Sequence, residues 1–355
     1  MSDETSWNDE PTTTVVTGGS GWFGRSFLSA IAEARPGTGP VRRDGEVRVL
    51  VPTPADVGPV LEALPRARVH VGDITDAATL ARLLAGAEGA SVVHAAGVIH
   101  PARVADFDRV NRGGAAAVVD AAVRAGARRL VHVSSNSPFG FNATPTDVFR
   151  HDEPYDPYLG YGRSKMLAEH LVLAANDPHG LETVVVRPPW FYGPRQPVRQ
   201  TLFFRLVRTG RFPVIGDGTQ RRSMVYVDNL VQGVALAERV GAAAGQAFWV
   251  ADERAYPLTD IVATVKQALG EEGLAVSGRQ VRLPALAGRV AKQVDARLQA
   301  RGIYHQQMHV LGEMGETIAC DVSRTRDVLG YRPEVALLEG MRRSVRWCLD
   351  QGYEI

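Results

Sequence analysis

Short β-branched runs alternate with helix-length amphipathic stretches through the first half of this chain. Residues 13–17 (Thr-Thr-Val-Val-Thr) form a strand-length run that stops at glycines. Residues 22–34 then carry apolar side chains at helical spacing. The same rhythm predicts strands at 47–51, 69–71, 90–94, 130–133 and 183–186, with helices at 77–84, 115–125 and 162–176 between them. Residues 35–45 are rich in Gly, Pro and Arg and read as a loop. Strands alternating with helices imply βαβ units and a parallel sheet, and near-continuous apolar strands such as 184–186 suit a sheet covered on both faces. In such a sheet ligands bind beyond the carboxyl ends of the strands.

After Arg187 the rhythm changes. A proline-rich aromatic loop at 188–197 leads to a predicted helix at 201–208, a Gly/Asp/Arg stretch at 216–222 and a strand at 224–227. A helix at 231–239 and a strand-like run at 247–250 follow, and 251–355 breaks into shorter elements. The expected fold class is α/β, a doubly wound parallel sheet with a smaller C-terminal substrate-binding lobe. Residues 12–187 with about 224–252 are assigned to the sheet domain, and 188–223 with 253–355 to the lobe.

Composition narrows the partners. Forty basic residues face 39 acidic ones in 355 residues, so no net field argues for nucleic acid or a membrane. Cys320 and Cys348 are too few for a disulfide framework or a metal motif, and no metal site is expected. The polar, acidic residues 1–11 lack the pattern of a signal peptide and are expected to be disordered. No apolar stretch reaches the roughly 18 residues needed to span a bilayer, so a cytoplasmic protein is expected.

The chemistry sits after the strands. Gly18, Gly21 and Gly24 follow the first strand and open the first helix, with Trp22 and Phe23 inside the motif. Gly18 allows the turn, Gly21 lets the backbone approach a pyrophosphate, and Gly24 lets the helix pack closely; the helix N-terminus then faces the anion. The second strand ends Val51-Pro52-Thr53, which offers neither an acid for the ribose of NAD nor an arginine for the 2′-phosphate of NADP. Arg42 and Arg43 lie at its other end, so the balance leans to NAD. Asp73, followed by Ile74, is placed to meet the adenine or else caps the next helix.

Tyr161 and Lys165 are four apart on a predicted helix and share a face. A nearby ammonium lowers the pKa of a phenol, allowing the tyrosine to exchange a proton with a substrate hydroxyl, and Ser135 can hold the same oxygen.

These motifs, with His94-Ala95-Ala96-Gly97, Asn111, Arg187-Pro188, Tyr226-Val227-Asp228 and Leu329-Gly330-Tyr331, resemble the extended short-chain dehydrogenase/reductase family. That family includes nucleotide-sugar epimerases and 3β-hydroxysteroid dehydrogenase-like enzymes. The resemblance implies a Rossmann-type sheet and a catalytic set of Ser135, Tyr161 and Lys165. It also implies a nicotinamide cofactor lined by Gly18, Gly21, Trp22, Phe23, Gly24, Asp73, Ile74, Ala95, Ala96, Gly97, Tyr161, Lys165 and Pro188. A homodimer through the helices at 115–125 and 162–176 is a further implication.

The substrate signals are mixed. Arg222, in Gly216-Asp217-Gly218…Arg222, matches the diphosphate-binding arginine of the sugar-nucleotide branch, and Arg199 and Arg195 add charge. Asn136, Ser137 and Trp190 are also placed at the substrate. Pro189-Trp190-Phe191 replaces the asparagine usual in that branch. The run from Leu283, with the segment 289–298, is closer to the steroid-dehydrogenase branch, although Arg289, Lys292 and Arg297 suit a solvated helix. Asn136-Ser137 also stands where sugar 4,6-dehydratases carry an Asp-Glu pair. The expected reaction is therefore epimerisation or net oxidoreduction, with a nucleotide-linked sugar favoured over a steroid or lipid. Glu153 matches a loop near the site, His94 is read as structural, and a cofactor-binding protein without chemistry is the remaining alternative.

Overall fold

A computed structural model describes residues 11–355 except positions 34, 36 and 40. The disordered tail expected at the N-terminus therefore lies outside the described residues, apart from Pro11. The chain begins with strand β1 (Thr13–Thr17), helix α1 (Trp22–Ala32), β2 (Glu46–Val51), α2 (Val57–Ala63), β3 (Arg68–Val71) and α3 (Ala77–Leu83). It continues through β4 (Ser91–His94), α4 (Gly114–Arg124), β5 (Arg129–Val133), α5 (Leu159–Ala174) and β6 (Glu182–Arg187). The later strands are β7 (Trp190–Tyr192), β8 (Pro213–Ile215), β9 (Arg221–Arg222), β10 (Met224–Tyr226), β11 (Gln246–Trp249), β12 (Tyr256–Pro257) and β13 (Val281–Leu283). The later helices are α6 (Val198–Arg208), α7 (Val227–Arg239), α8 (Leu258–Glu271), α9 (Ala285–Ala300), α10 (Gln306–Met314), α11 (Ser323–Leu329) and α12 (Leu337–Asp350).

Seven strands of the described chain form one parallel sheet in the order β11-β6-β5-β4-β1-β2-β3. The chain steps outward from β1 to β3 and returns to β4 on the other side of β1. That reversal opens a crevice at the carboxyl ends of β1 and β4. β1 is buried at every position because helices cover both faces. On one face Phe27, Leu28 and Val60 pack with Val231 and Val234 of α7. On the other, Leu80, Leu83, Val118, Ala122 and Val172 close the core.

A separate apolar cluster joins Phe204, Phe212, Tyr256, Ile261, Val265, Met341 and Val345 in the C-terminal part. There, two-stranded pairs β10–β7, β12–β9 and β13–β8 replace the large sheet. Their strands of two or three residues are too short for an alternation to be read, and the sequence reading passed over most of them.

Candidate active site

The glycine turn sits at the crevice. Gly18 has φ +75°, and a Cβ there would lie 2.6 Å from the Ala96 nitrogen and 2.7 Å from the Ala95 carbonyl carbon. A Cβ on Gly24 would lie 2.2 Å from the Gly18 oxygen. Gly21 is exposed, and a Cβ there would meet nothing closer than the Gly18 oxygen at 3.2 Å. Gly18 and Gly24 are thus fitted to the protein, whereas Gly21 leaves room for something outside it. Gly21 also precedes the first turn of α1 without a side-chain cap, so free N–H groups face that room. This cradle fits a dinucleotide pyrophosphate.

The other expected cofactor residues divide. Ala95, Ala96 and exposed Gly97 line the crevice beside Gly18. Buried Pro188 directly follows β6. Trp22 donates from its indole nitrogen to the Pro194 carbonyl at 2.8 Å and packs at a tilt against Phe191, ring centroids 4.5 Å apart, joining the glycine turn to the loop after β6. The side chains of Phe23 and Ile74 turn inward. Phe23 is buried against Phe27, and Ile74 is buried beneath Gly114 of α4, so both side chains serve the core. Asp73 does not cap α3; Asp76 does, accepting from the nitrogens of Ala78 and Thr79. Asp73 accepts from Thr75 and pairs with Arg109 at 3.2 Å. Arg43 is buried in a bidentate pair with Glu238, away from the crevice.

Ser135, Tyr161 and Lys165 converge at the end of β5. Residues 137–139 form a tight turn that lies on α5, where a Cβ on Gly162 would stand 2.4 Å from the Ser137 oxygen. Ser134 turns inward to Glu169, at 2.5 Å. Ser135 lies 3.2 Å from the Ser137 hydroxyl and is near enough to the Tyr161 phenol to lower its pKa. Lys165 is buried and donates to the Val133 carbonyl at 2.8 Å and to His132 Nε2 at 3.3 Å. Burial lowers Lys165 to about 8.

The phenol itself departs from expectation. Burial pushes Tyr161 up to about 12; the Ser135 hydroxyl offsets only part of this, and the Glu313 carboxylate adds to it. Two of the three Lys165 donors go to β5, and burial rather than the neighbouring ammonium governs the phenol in the chain itself.

Beneath Lys165 lies a chain of buried side chains. Thr17 Oγ1 is 2.7 Å from His94 Nδ1, and the His94 and His132 rings lie 4.9 Å apart. Burial holds His94 near 3 and His132 well below its ordinary value, so both are neutral. Asn111, in a wide π-type turn at Phe107–Gly113, bonds both Val98 main-chain groups and the Ser164 hydroxyl at 2.9 Å. It ties the β4 loop to α5. One turn beyond Lys165, buried Glu169 accepts from Tyr155 at 2.8 Å and from Arg187 at 2.8 and 3.0 Å. Arg187 also stacks on Phe139 at 4.4 Å.

The lobe closes the opposite side. α5 opens with Leu159 at φ +54°, and the Gly160 nitrogen donates to Gln299 Oε1 at 3.2 Å. Gln299 donates to Asp295, which also accepts from Tyr158 and lies 2.8 Å from His309 Nδ1. Asp295, Gln299 and His309 are all buried. Phe107 lies between the rings of Tyr161 and Tyr304, and the Tyr304 hydroxyl is 2.7 Å from His100. The sequence did not bring these lobe residues to the site because they lie some 140 positions from Tyr161.

The expected substrate residues also divide. Asn136 and Ser137 sit beside Ser135. Arg199 is exposed, has no hydrogen-bond or ion-pair partner among the described residues, and acts electrostatically on Tyr304 and His100. Arg222 donates to the Glu313 carbonyl and lies near the Glu313 and Glu316 carboxylates, so α10 already engages it. Trp190 packs edge-on against Phe203 at 5.2 Å, within the lobe core. Arg195 is a correction, since it bonds Ser29 of α1 rather than reaching toward the lobe. Glu153 accepts from the Arg150 nitrogen in its own loop.

The seven-stranded parallel sheet, with its glycine turn at the topological switch, defines a Rossmann-type enzyme fold. Residues 14–251 match the model of the NAD dependent epimerase/dehydratase family, and the chain belongs to that family. It is 46% identical to uncharacterized protein y4nL of Sinorhizobium fredii over 95% of both chains. It is 29% identical to a 4-hydroxy-2-methyl-3-oxo-4-farnesyl-3,4-dihydroquinoline-1-oxide ketoreductase of Stigmatella aurantiaca, over 92% of this chain and 94% of that one. A dTDP-glucose 4,6-dehydratase from Streptomyces venezuelae, crystallised with NAD, superposes with a TM-score of 0.73 at 26% identity, covering 96% of this chain and 99% of the other.

Proposed function

We propose that the chain interconverts a secondary alcohol and a ketone with NAD, on a nucleotide-linked sugar, and that it epimerises rather than performs net redox. The observation that carries the reaction is the grouping of Ser135 and Tyr161 with buried Lys165 one turn on, beside the glycine cradle. The cofactor, when bound, accepts and returns the hydride. Held near 12, the Tyr161 phenol is protonated at neutral pH, the form that donates to a ketone oxygen. Ser135 orients that oxygen. Lys165 is placed to stabilise the phenolate once its proton has moved. Support for NAD over NADP comes from Asp56, which hydrogen-bonds Thr53 at the end of β2. Positions 136 and 137 carry an amide and a hydroxyl, which disfavours elimination.

Support for the sugar branch comes from Arg199, unpartnered near Tyr304, and from the near-complete coverage of the dTDP-glucose enzyme. A second reading, an apolar ketone or steroid-like alcohol, is favoured by one observation. Arg222, the expected diphosphate ligand, is engaged by α10 with two carboxylates alongside. Thermal unfolding in the presence of NAD separates the two readings. The first requires a saturable rise in Tm with uridine or thymidine diphosphate and none with a sterol; the reverse pattern overturns it.

The outward faces of α4 and α5 expose Val123 and Leu171, and this supports a homodimer through these helices. A monomeric mass in solution would exclude it.

A further inference from the structure

More than half of the large hydrophobic side chains left exposed on the described residues lie on α6, β13, α9, α10 and the α9–α10 turn. Val198 is 65% exposed, Leu286 59%, Leu202 50% and Val290 49%. Leu286, Val290 and Val294 of α9 face Met308 and Leu311 of α10 across an apolar groove of about 360 Å³. The segment 289–298 was expected to be an ordinary solvated helix, but its N-terminal half and the residues before it present aliphatic side chains to water.

The same elements carry a one-sided charge. α6, β13, α9 and α10 together carry seven lysines and arginines against two acidic residues, Asp295 and Glu313, although the whole chain balances 40 against 39. Arg205, Arg208, Arg211, Arg279, Arg282 and Arg289 have no carboxylate within 4.0 Å among the described residues. The other side of the lobe is built differently: α12 pairs Arg342 with Glu271 and Arg346 with Glu272 on and beside α8. The unpaired elements are also contiguous. β13 pairs with β8, the Ser277 nitrogen donates to the Arg208 carbonyl at the end of α6, and α9 follows β13 directly.

We propose that this face, formed by α6, β13, α9 and α10, docks on an anionic lipid surface. Aliphatic side chains ringed by an excess of arginines match the headgroup–acyl boundary, where the chains enter the apolar layer and the guanidinium groups meet phosphates. A second copy of this chain fits poorly, because it would bring two unpaired arginine clusters together. The mode is surface attachment; among the described residues no helix is long and apolar enough to cross a membrane. Arg199 and Tyr304 adjoin this face, so the mouth of the candidate site opens beside it. The proposal does not depend on the substrate reading.

The test uses the full chain and co-sedimentation with vesicles of phosphatidylcholine alone or mixed equally with phosphatidylglycerol. Binding is expected on the anionic vesicles, weakening as salt rises. Each arginine near such a surface contributes about fivefold, so the triple variant R205E/R282E/R289E should lower partitioning by roughly a hundredfold or more. The double variant L286S/V290S should lower it as well. Both variants change exposed side chains and should leave the thermal midpoint near that of the parent. Absence of binding to anionic vesicles overturns the proposal, as does undiminished binding by the folded triple variant. A parent dimer that L286S/V290S dissociates would assign the face to a second copy instead.

Discussion

The two walls around Tyr161 are built on different electrostatic plans. On the sheet side every nearby titratable group is neutral, paired or tied to a carbonyl. His94 and His132 are neutral, Glu169 is locked to Arg187, and Lys165 donates to β5. On the lobe side, charge is only partly internalised. Asp295 and His309 are satisfied, while Arg199 and the other arginines of α6 and α9 have no ion-pair partner among the described residues. The first wall suits a dehydrated reaction centre in which protons move between fixed positions. The second suits recognition, where unpaired donors wait for a ligand.

That contrast is most sharply tested at the phenol. Tyr161→Phe removes the proton donor but no core contact, so turnover should fall by about 10²–10⁴ while NAD binding, read by calorimetry, is retained. Full turnover in that variant would remove the sheet-side wall from the chemistry.

The second largest effect should separate the walls by stability. Glu169→Leu strands a buried guanidinium and should cost about 3–5 kcal/mol in denaturant unfolding. Gln299→Leu leaves one Gly160 N–H and part of Asp295 unsatisfied and should cost about 1–3 kcal/mol. Equal costs would show that both walls rely on the same kind of pairing.

The smallest effect is a pH slope. Burial raises Asp252 from 3.8 to about 7, against hydrogen bonds from Tyr192, Asn229 and the Tyr226 nitrogen. Between those values the folded chain keeps a proton that the unfolded chain has lost, so stability falls as pH rises from about 4 to 7. Asp252→Asn keeps the bonding pattern and should flatten this slope in pH-dependent thermal melts.

The elements that could be read from the sequence share a property. β1, the glycine turn and α1 lie within 20 residues, and each strand-end motif follows its own strand directly. Ser135, Tyr161 and Lys165 were legible for that reason. The inward packing of the Phe23 and Ile74 side chains was not legible, because a motif gives the backbone path but not the face on which a neighbouring helix packs. The resemblance implied a ligand role for Arg222, and Arg195 stood only as added charge; distant groups, the Glu313 carbonyl and Ser29, set where they point.

By itself the sequence determined the α/β alternation, the family, and the residue types at the carboxyl edge of the sheet, because period and turn chemistry are local. Only the tertiary structure decided which wall those residues face. It also decided that burial, rather than the neighbouring ammonium, governs the Tyr161 phenol, and that α9 and α10 reach back to Gly160. Desolvation and long-range hydrogen bonds depend on what surrounds a group, and that is set when distant segments pack.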